Sequence, residues 1–100
     1  MNTPHMPNVT SFVSQEDYKE MLSICDDRDS LPATYDAFLA HFNNFIERAR
    51  KSGSDLIKVN IKPAELAEWC RTHGKRINGE ARAQYAMFVY AKTQNPDVHL

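Results

Sequence analysis

Glycine is scarce in this chain: Gly53, Gly74 and Gly79 are the only three, and they stand far apart. No glycine-rich loop is therefore available to cradle a phosphate or a dinucleotide. Cysteine is scarcer still, with Cys25 and Cys70 alone. Both fall on apolar faces of predicted helices and read as buried thiols in a reducing compartment. Long apolar runs are missing, and nothing approaches the roughly 20 residues a membrane span requires. The stretch from Met1 to Asn8 has no basic region followed by a hydrophobic one, so no secretory signal is expected and a cytoplasmic location is. Net charge is also nearly absent, at -1, which leaves no overall attraction to nucleic acid or membrane.

What remains is 100 residues of which 42% are hydrophobic, enough for one domain with a core. The strongest pattern runs from Thr34 to Ser52. There Tyr35, Phe38, Leu39, Phe42, Phe45, Ile46 and Ala49 recur at helical spacing and form one apolar stripe, so this helix is expected to organise the core. Thr34 is placed to cap its start and Gly53 to end it. Before it, Ser14 begins a helix carrying Tyr18, Met21, Leu22 and Cys25 on one face, with the serine hydroxyl predicted to accept an orphan amide. The acids of Asp26-Asp27-Arg28-Asp29 oppose the dipole and should stop that helix.

After Gly53, residues 56 to 62 alternate Ile57, Val59 and Ile61 with Lys58, Asn60 and Lys62, the best strand pattern in the chain. A lone strand must find a partner. Val9 to Val13 could supply it within the chain, and a second copy could supply it across a twofold axis; the first arrangement is the expected one. Pro63 then suits the first turn of a helix bearing Leu66, Trp69 and Cys70, which Gly74 closes. Asn78 is a plausible cap for a last helix reaching about Thr93, before Asn95-Pro96. The expected fold is mainly α (α+β), about four helices around a long central amphipathic helix with a short β element near residues 56–62. Residues 1–8 read as a flexible tail, 9–94 as one compact domain and 95–100 as a second short tail.

Charge is segregated along the chain. Up to Glu47 there are two basic residues against eight acidic ones; from Arg48 to Lys92 there are ten basic against four acidic. Such asymmetry points to an acidic partner for the second half, or to the first half filling that role. Lys58, Lys62, Arg71, Lys75, Arg76 and Arg82 are the cations that could hold phosphates or an acidic partner. A helix-turn-helix reading of residues 63–93 fits poorly, because the link from His73 to Asn78 is long and the would-be recognition helix is mostly alanine and aromatics.

That last helix is apolar on two sides. Ala81, Tyr85, Phe88 and Val89 form one stripe, and Ala83, Ala86, Met87, Tyr90 and Ala91 form a second that needs its own cover. Ala83, Met87 and Tyr90 are therefore the candidate contact residues for a protein partner or a second copy, as in a homodimer. Cys70 and His73 lie three residues apart, but further ligands such as Cys25 or His41 are scattered singly, so no metal or other cofactor is expected. The cysteines and acids fall in no nucleophile or acid/base signature, and no small-molecule substrate is expected. The sequence thus reads as a small non-catalytic interaction protein, contacting a protein or itself through the last helix and strand; the alternative is a nucleic-acid-binding accessory or regulatory protein using residues 48–92.

Overall fold

The computed structural model describes residues 8–94. In chain order these form β1 (Asn8–Phe12), α1 (Gln15–Ile24), a single 3-10 turn (Arg28–Ser30), α2 (Tyr35–Lys51), β2 (Leu56–Asn60), α3 (Pro63–Thr72) and α4 (Gly79–Gln94). The mainly helical fold with a small β element is as expected. The expected tail residues 1–7 and 95–100 lie outside the described residues, and Asn8 belongs to β1 and not to a tail.

The two strands pair in parallel, with Val9 opposite Ile57 and Ser11 opposite Val59. Parallel neighbours need a long crossover, and α1, the 3-10 turn and α2 supply it. One further amide, Ile61 N–H, donates to the Phe12 carbonyl at 2.9 Å just past the ladder. Alternation divides the sheet into two faces. Val9 and Ser11, with Ile57 and Val59, face the core; Thr10 and Phe12, with Lys58 and Asn60, face away. Phe12 on that second face meets the Phe42 ring at 4.8 Å and the Phe38 ring at 5.8 Å between centroids, so the start of α2 covers it. α4 lies along the sheet, chiefly against β1.

The core consists of Val13, Tyr18, Met21, Cys25, Val59, Ile61, Leu66, Cys70, Ala81, Tyr85 and Ala86. Every helix but α2 contributes to it. The long helix has no fully buried residue, which moves the centre expected at α2 to the junction of α1, α3, α4 and the sheet. Tyr35 and Phe38 reach the margin of the core, and further along Phe45 is 46% exposed. Its apolar stripe is genuine but shallow. Since burial stabilises by about 25 cal/mol per Å² of apolar area removed from water, α2 contributes less than its composition suggests.

Local signals mostly act as read. The Thr34 side chain accepts from the Ala37 amide at 3.2 Å, and Asn78 Oδ1 accepts from the Ala81 amide at 2.9 Å. Gly53 has a φ of 85°, in the left-handed region that glycine enters without a Cβ clash. Ser14 is the exception: its hydroxyl makes no cap bond and donates to Asp17 Oδ2 at 3.1 Å. Two phenols tie the segments together, Tyr18 Oη donating to the Pro32 carbonyl at 2.6 Å and Tyr35 Oη to the Val13 carbonyl at 2.8 Å. Of the second apolar side of α4, Ala86 is fully buried and Tyr90 packs against the core, while Ala83 and Ala91 are exposed.

Candidate functional site

Part of the charge segregation is met inside the chain. Lys62 Nζ lies 3.1 Å from Asp17 Oδ2, Arg76 Nε lies 3.8 Å from Asp26 Oδ2, and Arg82 binds Asp27, so three pairs join the acidic first half to the basic second half. Arg82 is the anchored member. Its Nη1 and Nη2 donate to Asp27 Oδ1 and Oδ2 at 2.9 Å each, and Nη1 also lies 3.2 Å from Cys25 Sγ. The fork geometry of guanidinium against carboxylate makes such a pair directional as well as strong. Hydrogen bonding to Arg82 holds the Asp27 carboxyl below its ordinary range against the opposing effect of burial. Burial pulls the Arg82 pKa down, and its hydrogen bonds and charge interactions with Asp27 and Cys25 together more than restore it. Burial raises the Cys25 thiol, so it is neutral at pH 7 and leaves Asp27 as the charged partner.

The six cations singled out in the sequence therefore do not make one free patch. Besides the three paired above, Arg71 is bound to Glu68 one helical turn away. Lys58 Nζ sits 4.5 Å from the Phe12 ring centroid and Lys75 Nζ 5.8 Å from that of Trp69, both as cation–π contacts. A nucleic-acid surface would have to break or share most of these. The candidate contact residues of α4 share one stripe by helical spacing but differ in burial: Ala83 is exposed, Met87 is half-buried, and Tyr90 is half-buried against the core. By helical spacing Ala83 and Met87 fall on the side of α4 opposite Tyr85.

The structure gathers a different set. Ala64, Glu65, Glu68, Trp69 and Thr72 of α3 and Tyr85 and Phe88 of α4 line an open groove with a volume of about 420 Å³. Its floor is aromatic. The Trp69 centroid is 5.4 Å from that of Tyr85 and 6.2 Å from that of Phe88, and the latter two are 6.0 Å apart. Tyr85 and Phe88 are three apart on α4 and so share a face, while Trp69 reaches them from α3. Two carboxylates stand at the rim. Glu68 is taken by Arg71, whereas Glu65 has no cation within 4 Å among the described residues. Burial, and secondarily the charge of Glu65, raises the Tyr85 phenol above its ordinary pKa, keeping it a neutral donor at pH 7.

Trp69, Tyr85 and Phe88 are residues that the sequence assigns to packing alone. The available signal was an aromatic pair three apart on α4 following a tryptophan on the preceding helix, but it does not distinguish a groove from a core. Among the described residues no three His, Cys, Asp or Glu side chains group to hold a metal ion. No helix among them is long and apolar enough to cross a membrane. No protein-family model, curated protein or solved structure matches the chain.

Proposed function

We propose that this chain is a non-catalytic binding domain that receives a protein partner in the groove between α3 and α4. The observation that carries this reading is the cluster of Trp69, Tyr85 and Phe88 around an open, mostly apolar concavity. Aromatic side chains supply large contact area at low conformational cost, and Trp and Tyr are enriched among residues that dominate binding energy. The rest of the molecule favours a rigid platform. Arg82 clamps α4 to the end of α1 through Asp27, and Asp26 Oδ2 accepts from the Ile77 amide at 2.9 Å, so the link before α4 is held at both levels. A preorganised surface loses little entropy on association.

The test places a photo-cross-linking side chain at Thr72, an exposed groove residue, and for comparison at Ala83 on the far side of α4. Irradiation in cells producing the full chain is expected to give a protein adduct from position 72. Adducts from position 83 alone would move the contact to the Ala83, Met87 and Tyr90 face. Nucleic-acid adducts, or none from either position, contradict the protein-binding reading.

A further inference from the structure

The groove has a physical counterpart elsewhere on the same chain. Phe45 is the one large hydrophobic residue that is exposed among the described residues, standing 46% accessible on α2. It borders a hollow of about 380 Å³ lined by Phe45, Arg48, Ala49 and Ser52. The one cation in its lining is unsatisfied: Arg50 nearby lies 3.7 Å from Glu47, but Arg48 has no carboxylate within 4 Å among the described residues. The C-terminal half of α2 thus presents one aromatic knob beside an unpaired cation, Arg48. The α3–α4 groove presents an aromatic socket with Glu65 and Glu68 at its rim.

We propose that the occupant of the groove is a second copy of this chain, whose Phe45 inserts among Trp69, Tyr85 and Phe88 while its Arg48 faces Glu65. The proposal rests on the groove being a protein-binding surface and adds the identity of the partner. Complementarity of both kinds supports it: ring against rings for contact, cation against carboxylate for register. The two surfaces are different patches, so a single contact is heterologous. Two such contacts related by a twofold axis close a dimer, and one alone propagates. Glu65, which has no cation within 4 Å among the described residues, would gain one. Exposed pairs of this type are screened by salt, which makes the assembly weaker at high ionic strength.

Sedimentation velocity on the full chain over a range of concentrations tests the proposal. Mass is expected to rise with concentration and to rise less at high salt. Phe45→Asp should hold the chain at monomer mass with an unchanged circular dichroism spectrum, since Phe45 belongs to no core cluster. Arg48→Glu and Glu65→Lys should each weaken association several-fold, and the two together should restore it, which neither a folding defect nor a general charge effect would do. A chain that stays monomeric throughout overturns the inference, as does an assembly indifferent to Phe45→Asp or a double variant no better than either single one. A monomeric chain that still forms protein adducts from position 72 rejects the second copy while leaving the groove as a binding surface for another protein.

Discussion

Arg82 on α4 and Asp27, in the link just after α1, face each other with both nitrogens of one fork on both oxygens of the other, at 2.9 Å. The Arg82 side chain is 11% exposed and that of Asp27 27%, so water competes weakly for either group. Residues 55 positions apart are thereby fixed, and with them the angle at which α4 presents Tyr85 and Phe88 to Trp69.

Removing Asp27 leaves a half-buried guanidinium without its counter-charge. Asp27→Ala is expected to destabilise the fold by about 1.5 to 3 kcal/mol, the range for hydrogen bonds to charged groups. Urea denaturation followed by circular dichroism measures it.

The same pair gives the fold an acid limit. Asp27 is more acidic folded than unfolded, so the unfolded chain binds the proton more readily and stability falls as pH falls. The contribution is complete above the ordinary Asp pKa of about 3.9 and is lost as pH drops through the lower folded value. Urea midpoints measured from neutral pH down to pH 3 should therefore decline in the acid range. Asp27→Asn should flatten that part of the decline.

Phe42 and Leu66 separate periodicity from depth. Leu66 is fully buried, and Leu66→Ala should cost about 2 to 5 kcal/mol by transfer and cavity terms together. Phe42 is only half-buried, resting on Phe12 and Phe38. Its truncation to alanine should cost roughly 1 to 2 kcal/mol, below the 3 to 5 of a fully enclosed aromatic. Equal costs for the two would return α2 to the centre of the core.

Cys25 and Cys70 are 0% and 1% exposed, and burial raises both thiols above their ordinary pKa. Reactivity requires an accessible thiolate. Neither should react with a bulky thiol reagent in native buffer, and both should react at once in denaturant. Mass spectrometry of the labelled chain decides this.

The elements were legible in the sequence because their signals are local. Thr34, Gly53, Pro63 and Asn78 mark helix ends through short-range capping and fixed backbone angles, and the Ile57, Val59 and Ile61 alternation marks a strand without reference to its partner. The burial depth of α2 was not legible. A periodic stripe states which side of a helix is apolar, whereas how far it is covered depends on what the chain brings over it, and here Phe12 and Tyr18 cover only the first half. The charge asymmetry was visible, but its partial resolution into Lys62–Asp17, Arg76–Asp26 and Arg82–Asp27 required the fold, since those partners are separated by 45 or more positions. Trp69, Tyr85 and Phe88 were read as packing residues because a groove and a core have the same composition. Only the open side distinguishes them.

Trp69 is the only tryptophan in the chain and forms part of the groove floor, so its fluorescence reports on the groove alone. Quenching by acrylamide, measured as protein concentration is raised from low micromolar toward millimolar, tests whether protein covers that surface. If the groove is a binding surface for a second copy, quenching falls as concentration rises and stays high throughout for Phe45→Asp. Quenching that is the same at every concentration, and the same in the variant, contradicts the account.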